Sequence, residues 1–306
     1  MSRLLRFVLF AAGFWAANGI VHAEDVYMLA TSDPQKDLLH TYSTQLLLAA
    51  LDASKPRYGA YRLEISTASM QHVRQLRELE SGELVNVSAQ ITTSAWEKTL
   101  TPVRIPIDRG LASFRIVLID GRRQAEFSRI ASLDDLRKLK AGVGEQWALR
   151  KVYEENGLPV VTGDNNRGLF AMLMEGRFDY LPRSIEEAVH EKSSLATDHP
   201  HLAMEKSILL YASAPRYFFV SPKAPRLAER LRAGLEILVA NGEYERRFAA
   251  YYASVIAEAG LCRRIVFRLK NNDLGHDAPL GQTRLWFDPS KSPDREMACA
   301  AERAKK

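Results

Sequence analysis

Polar and charged side chains recur in this sequence directly after short apolar runs that are typical of buried strands. Parallel α/β sheets bind ligands beyond the carboxyl ends of their strands. Hydroxyls and backbone N–H groups at helix starts donate hydrogen bonds to carboxylates and phosphates, and arginine offers a planar fork to the same anions. These positions therefore predict a binding site for a small polar or anionic solute, formed by Ser32, Asp33, Thr67, Ser69, Thr92, Thr93, Gly144, Glu145, Gln146, Trp147, Arg183 and Ser184.

The hydroxyl and aromatic members of this set also have a purely structural interpretation. Ser32, Thr67 and Ser69 precede helical segments, and helix N-caps use the same residue types as ligand donors. Trp147 could stack on a ligand or pack its own helix onto a sheet. The sequence leaves both interpretations open for each residue.

Two arginines among the candidates could each contact a bound solute or pair with a nearby acid. Arg183 follows a strand-like run and could bind an anion, or it could form a surface salt bridge with Glu186 or Glu187. Arg115 opens a long apolar run and faces either a cleft or a neighbouring acid. We predict that both arginines belong to the ligand site, with Arg183 as the main anion contact.

The elements that position these residues begin with alternating strands and helices. Strand-like runs occupy 25–30, 61–65 and 84–87. Apolar residues at helical spacing lie between them, at about 38–50 and 70–80. This β-α-β-α-β order predicts a parallel sheet with crossover helices.

A second α/β unit follows two longer strand-like runs at 103–107 and 113–120. A return strand at 217–220 and two alanine-rich helices then complete the pattern. The chain is therefore expected to cross twice between two lobes, with a ligand cleft between the lobes and a hinge at the crossings. The segments of the second unit are strands at 141–144, 158–161, 178–181 and 207–211 and helices starting at 132, 147, 167 and 184.

Several segments resemble those of a known family in order and spacing. They are the opening strand through Asp33, the run 110–119, residues 130–139 with Gly142-Val143-Gly144, the run 169–180, the return segment 217–220 and Asn241-Gly242-Glu243-Tyr244. Over residues 25 to about 255 the sequence resembles the extracytoplasmic solute-binding proteins of bacterial transporters, specifically the amino-acid-binding family 3 (type II) group.

This resemblance implies an α/β, two-lobed, type II periplasmic-binding-protein-like fold with two crossover strands as a hinge. Lobe 1 would comprise residues 24–114 and 216–255, and lobe 2 residues 115–215. Residues 256–306 would form a C-terminal extension.

The sequence departs from the family where the amino acid is held. Lys98 stands near the arginine that clamps the ligand carboxylate in the family, and lysine is a point charge without a fork. Pro182-Arg183-Ser184 stands where the family places an aspartate for the ligand ammonium. A cation there would repel an ammonium and suit an anionic group.

The N-terminus has the three parts of a secretory signal. Arg3 and Arg6 form a positive region, residues 7–20 are apolar, and Val21-His22-Ala23 forms a cleavage site. An uncleaved membrane anchor is the alternative, but about 14 apolar residues are short for a span of about 20. We therefore predict cleavage of residues 1–23 and a periplasmic location.

Export would place the only two cysteines, Cys262 and Cys299, in an oxidising compartment. In an oxidising compartment this pair predicts a disulfide, and two free thiols are the alternative. Neither a metal site nor a cofactor is expected, since the histidines are dispersed and no phosphate loop occurs. No nucleophile elbow or zinc-hydrolase motif occurs either, so we expect no catalytic residues.

The charge argues against nucleic-acid binding. The chain has 42 basic and 37 acidic residues, and loss of Arg3 and Arg6 lowers its net charge from +5 to +3. So small and scattered an excess is not typical of a nucleic-acid interface.

Together these features predict a monomeric periplasmic protein that closes two lobes around a small solute and delivers it to a membrane permease. A sensing or interaction module with a membrane sensor as partner, and an exported enzyme on the same fold, are the alternatives.

Overall fold

The computed structural model describes residues 24–30, 41–66, 70 and 72–300. The predicted signal peptide lies outside these residues. Among the helices that are described, none is both long and apolar enough to cross a membrane.

The described residues form alternating strands and helices, with short 3₁₀ turns between some of them. The strands are β1 Asp25–Leu29, β2 Tyr61–Ile65, β3 Val87–Ile91, β4 Thr101–Val103, β5 Phe114–Asp120, β6 Ala141–Gly144, β7 Val160–Gly163, β8 Leu181–Ser184, β9 Leu202–Met204, β10 Ile208–Ala212, β11 Arg216–Val220 and β12 Ile265–Leu269. The helices are α1 Tyr42–Tyr58, α2 His72–Ser81, α3 Ser94–Thr99, α4 Gln124–Phe127, α5 Leu133–Leu136, α6 Arg150–Glu155, α7 Asn166–Met174, α8 Ile185–Ser194, α9 Pro225–Ala240, α10 Glu243–Ala259 and α11 Asp294–Ala298.

The first lobe is built on β1–β4 and β11. β1 pairs in parallel with β2, while β11 lies antiparallel between β3 and β4. Asn86 joins the two sheets, because its side chain accepts from Met28 N and donates to Val26 O, each at 2.8 Å. Helices α1 and α9 pack tightly together on this lobe.

The second lobe is built on a sheet in the order β12-β10-β5-β8, with β9 also paired to β5. β5 is buried along its whole length, which explains its uninterrupted apolar centre, Ile116–Ile119. β6 and β7 form a parallel pair, and Ala141 in β6 also bridges to Tyr180. The α/β alternation predicted for both units is confirmed.

Two segments connect the lobes, residues 104–113 and residues 213–215. They lie side by side, because Ser113 Oγ accepts from Ala214 N at 3.0 Å and Ile107 N donates to Arg216 O at 2.8 Å. Helix α10 lies at the same junction and packs against α8, α9 and α1.

Four predicted strands are displaced along the chain. The strand expected at 103–107 is β4, which ends at Val103 where its pairing with β11 ends, and the strand expected at 158–161 is β7, which begins at Val160 where its pairing with β6 starts. The strand expected at 84–87 is β3, which begins at Val87. Asn86 lies just before it, and the Asn86 side chain hydrogen-bonds to the backbone of β1. The strand expected at 178–181 is β8, which begins at Leu181 where antiparallel pairing with β5 starts. The residues before it bond to the β6 region instead, since Asp179 N donates to Lys140 O at 2.9 Å.

The C-terminal part of the chain packs onto both lobes. β12 pairs in parallel with β10 over five residues, from Ile265 to Leu269. The predicted disulfide between Cys262 and Cys299 is confirmed, with the two Cα atoms 5.2 Å apart. It closes the chain on itself around β12 and α11.

The contact between α1 and α9 yields a stability test at Gly234. A Cβ added at Gly234 would lie 1.9 Å from Ala50 O, so Gly234→Ala must push the helices apart. We expect a loss of about 1–3 kcal/mol in the free energy of unfolding, although alanine favours helix by about 1 kcal/mol. Chemical denaturation measures it. Gly281→Ala, where an added Cβ meets nothing within 4 Å, is the control, and equal stability of the two variants would contradict the close packing.

Candidate functional site

A cleft of about 710 Å³ opens between the lobes and is lined by residues from both. The first lobe contributes Leu29, Ala30, Thr41, Ser43, Thr44, Val73, Gln75, Leu76, Val87, Ser88, Ala89, Gln90, Ile91, Thr93, Ala95, Trp96 and Arg216. The second lobe contributes Arg115, Gln146, Trp147, Ala148, Leu149, Tyr153, Asn166, Pro182, Arg183 and Glu187.

The first-lobe wall consists mainly of polar, uncharged side chains. Gln90 Nε2 donates to Gln75 Oε1 at 2.7 Å and to Ser88 Oγ at 3.1 Å. Thr93 caps α3, since its Oγ1 accepts from Trp96 N at 3.3 Å. Amide and hydroxyl groups of this kind fix the orientation of a bound polar solute.

Charged side chains line the second-lobe wall, and Arg183 is the most heavily paired of them. Its Nε donates to Glu191 Oε2 at 2.7 Å and its Nη2 donates to Glu191 Oε1, so the fork is bidentate. The guanidinium also lies 4.7 Å from the centre of the Trp147 ring. Arg183 therefore lines the cleft, and Glu191 occupies the guanidinium fork that we expected to hold an anion.

Glu187 is positioned by the first turn of α8. Ser184 caps this helix, and Glu187 completes the capping box by accepting from Ser184 N at 3.0 Å. Its carboxylate lies 3.2 Å from Arg183 Nη2 and 3.7 Å from Arg115 Nη1. Burial alone would raise the pKa of Glu187, but the charges of Arg183 and Arg115 outweigh it and lower this pKa to about 2.

Arg115 is a buried cation on the second-lobe wall of the cleft, since its residue is only 8% exposed. Its Nη1 lies 3.7 Å from the Glu187 carboxylate, beyond hydrogen-bond distance, so a bound anion would accept from this end of the guanidinium. β5 holds Arg115 opposite Ser184 in β8, so the guanidinium lies beside Glu187.

A third arginine enters the cleft from the first lobe. Arg216 begins β11, and its Nη1 lies 4.0 Å from Asp108 Oδ2. Burial raises the pKa of the Asp108 carboxyl, and the nearby Arg216 only partly opposes this. Asp108 Oδ1 has no hydrogen-bond partner among the described residues.

The structure brings five of the predicted site residues together. Thr93, Arg115, Gln146, Trp147 and Arg183 line the cleft. The Trp147 ring also covers Gly144, where an added Cβ would lie 2.2 Å from Trp147 Nε1. Trp147 therefore lines the cleft and packs on Gly144 of β6, ahead of α6, which begins at Arg150; its stacking on a ligand stays a prediction.

Four other predicted residues do not line the cleft. Thr92 is buried and its hydroxyl donates to Glu97 Oε1, Ser184 caps α8, and Gly144 lies under a ring. Glu145 is exposed outside the cleft lining. Ser32, Asp33, Thr67 and Ser69 lie outside the described residues.

The sequence reasoning missed Gln75, Gln90, Trp96, Glu187 and Arg216. The rule of strand ends could not find Gln90, which lies within β3, or Gln75, which lies on α2. Alternation of Ser88 and Gln90 along one strand face was the available signal. Trp96 lines the cleft where the family resemblance implied an arginine, whereas Lys98 is exposed outside the lining.

No group of three or more His, Cys, Asp or Glu side chains in the described part of the chain could hold a metal ion. The two opposed walls of the cleft offer charged side chains and hydrogen-bonding groups.

No protein-family model matches the sequence, and no curated protein matches it. Solved structures do share its fold. An ancestral arginine-binding protein bound to arginine superposes with a TM-score of 0.53 at 18% identity, over 76% of this chain and 100% of that one. An amino acid ABC transporter substrate-binding protein from Streptococcus pneumoniae bound to L-arginine gives 0.52 at 15% identity, over 74% and 92%.

A third structure, an ancestral amino acid-binding protein described as a precursor of cyclohexadienyl dehydratase, gives 0.52 at 15% identity, over 74% of this chain and 95% of that one. These structural neighbours are amino-acid-binding proteins. At such low identity the similarity establishes the fold: the chain is a mixed α/β protein with the type II periplasmic-binding-protein architecture, as its sequence resemblance implied.

The lowered pKa of Glu187 predicts a pH dependence of stability. The unfolded carboxyl titrates near 4.5, whereas the folded one titrates at about 2. Its stabilising contribution is therefore present above about pH 4.5 and is lost as the pH falls toward 2. Glu187→Gln should be less stable than the parent at pH 7, and the gap should shrink between pH 5 and about 2.

Thermal unfolding of both proteins across this range measures the gap. Glu175→Gln, which alters an exposed ion pair with Arg177, is the matched control and should show no such convergence. A gap for Glu187→Gln that stays constant with pH would show that Glu187 is not held by the two arginines.

Proposed function

We propose that this protein is a periplasmic solute-binding protein that closes its two lobes around a small solute bearing a carboxylate or a similar anionic group. One observation carries the proposal: Arg115 lines the cleft between the lobes, and its ion pair among the described residues is the 3.7 Å contact of Nη1 with the Glu187 carboxylate, which is longer than a hydrogen bond. A carboxylate could accept from this guanidinium bidentately.

The neighbouring acid suggests what else the solute carries. Glu187 is ionised, half-exposed and 3.7 Å from Arg115 Nη1, so a positive and a negative charge lie side by side on one wall. A zwitterion such as a free amino acid presents the complementary pair. The amino-acid ligands of the structural neighbours agree with this chemistry.

In this proposal Arg183 does not bind the anion, although its position after a strand had suggested that it would. Glu191 and Glu187 neutralise it, and its guanidinium stacks on Trp147. It therefore supports the wall, and Arg115 takes the anion. Arg216 and the polar side chains Gln75 and Gln90 would contact the solute from the opposite lobe when the cleft closes.

Closure would move residues 24–114 and 216–255 against residues 115–215, bending the chain at the two crossover segments. A solute drives this change only through its higher affinity for the closed form. The closed protein would then dock on a membrane permease of an ABC transporter, as a monomer.

Export and processing are part of the same proposal. The predicted cleavage site precedes Glu24, and β1 begins at Asp25, whose buried carboxylate pairs with Arg230 Nη1 at 2.8 Å. A disulfide suits an oxidising compartment. The intact mass of the exported protein should therefore correspond to residues 24–306 with one disulfide. A mass that retains residues 1–23 would contradict cleavage.

The ligand site is tested by thermal shift. The panel should contain neutral, cationic and acidic amino acids, dicarboxylates, phosphate and polyamines, because stabilisation grows with ligand concentration over Kd. We expect at least one carboxylate-bearing solute to raise the melting temperature. Arg115→Ala should abolish that shift or reduce it at least tenfold in apparent affinity, since a charge-assisted bidentate contact contributes about 1.5–3 kcal/mol.

Arg177→Ala is the matched control, because Arg177 is exposed on the second lobe and its ion pair among the described residues is with Glu175. It should retain the full shift. A shift that survives Arg115→Ala would reject the site. If no solute on the panel stabilises the protein and a membrane partner is still captured, the sensing alternative replaces transport; turnover of a panel solute would establish the enzyme alternative.

A further inference from the structure

The C-terminal residues 265–299, here called the C-terminal strap, contact both lobes. The strap starts with β12, which extends the sheet of the second lobe through its ladder with β10. It ends with Cys299, bonded to Cys262 directly after α10. Two-lobed proteins of this fold need only two crossings between lobes, whereas the strap adds further ones.

The second-lobe attachment continues beyond β12. Asn156 beside α6 donates to Lys270 O at 2.8 Å and accepts from Lys270 N at 2.9 Å. Asn272 Nδ2 donates to Glu155 Oε2 at 3.0 Å. Asn271 Nδ2 also donates to Ser213 O, in the second crossover segment, at 2.8 Å.

The next residues attach to the first lobe. Asp273 Oδ2 accepts from Ser94 N, at the start of α3, at 3.2 Å. Gly275 packs directly against Glu97, so that an added Cβ would lie 2.7 Å from its Oε2. Asp277 Oδ2 lies 3.6 Å from Arg104 Nη2. Consecutive residues of the strap are therefore held by opposite lobes.

The last part of the strap is fixed to the first lobe and to the first crossover segment. Arg284 Nη2 donates to Val239 O in α9 at 2.9 Å. Asp294 is buried and pairs bidentately with Arg109, at 2.6 and 3.2 Å. The Trp286 ring lies on Gly110, where an added Cβ would be 2.5 Å from the ring.

From these contacts we propose that the C-terminal strap is a built-in brake on lobe opening. Separating the lobes requires the strap to stretch or to release α3, because its first part is fixed to the second lobe and its later parts are fixed to the first lobe and the first crossover segment. The disulfide keeps its carboxyl end from detaching. This inference concerns the motion of the fold and does not depend on which solute the cleft binds.

The test measures the distance between the lobes in ligand-free protein. Spin labels carried on non-natural amino acids at exposed Arg77 on α2 and Arg167 on α7 leave the disulfide intact. A site-specific protease sequence is inserted after exposed Leu280, between the two first-lobe attachments. After cutting, the disulfide still tethers the released end, so the protein keeps all of its parts.

The protein that is cut should also carry Asp273→Ala and Asp277→Ala. These changes remove the contacts of the middle of the strap with Ser94 and Arg104. We expect the label distance to lengthen by several ångströms and its distribution to broaden relative to the same protein before cutting. Glu175→Ala with Asp198→Ala removes the same charge from exposed second-lobe positions, where the described ion pair of Glu175 is with Arg177, and should leave the uncut distance unchanged.

Reduction of the disulfide in the parent protein gives an independent arm, which needs no variant. It should broaden the distribution in the same direction, because Asp294 and Cys299 are then free to leave the junction. An unchanged distance after cutting and after reduction, with retained circular dichroism, would overturn the proposal and leave the strap as a packing element only.

Discussion

Arg109 joins the first crossover segment to the rest of the molecule. Its backbone has a positive φ of 50°, its side chain is buried, and its guanidinium forms a bidentate pair with Asp294 while lying 5.2 Å from the Phe248 ring centre. Its carbonyl accepts from Phe287 N at 2.6 Å. A left-handed arginine with a buried charge is stable only when its surroundings fix it. The first crossover segment, α10 and the C-terminal strap are thereby held in one arrangement.

The cleft shows how pairing of charges decides which group is left for a ligand. Arg183 and Glu191 satisfy each other bidentately, and Glu187 is shared between Arg183 and Arg115. Among the described residues, that leaves Arg115 with one long ion pair, at 3.7 Å to Glu187. A buried cation in this state favours a bound anion, because the cation has already lost most of its hydration on folding. The binding hypothesis therefore rests on what the network leaves unsatisfied.

Much of the fold followed from local patterns. Periodicity located α1, α9 and α10 and the buried strand β5, and Ser132 and Asp135 marked the start of α5, where Ser132 Oγ accepts from Asp135 N at 3.2 Å. Such signals depend on neighbours within one turn or one strand, so the sequence contains them. The starts of β3 and β8 could not be located in this way. They are set by hydrogen bonds to β1, β5 and β6, which lie far away in the chain.

The sequence by itself determined the order of the elements and the pairing of the only two cysteines, and it named Arg115, Thr93, Gln146, Trp147 and Arg183 as cleft candidates. The tertiary structure alone decided that Glu191 occupies the Arg183 fork and that Arg216 and Gln75 face the same cleft. It also decided that the C-terminal strap spans both lobes. Such contacts join residues from separate elements, and only the packing of those elements brings their side chains within hydrogen-bonding distance.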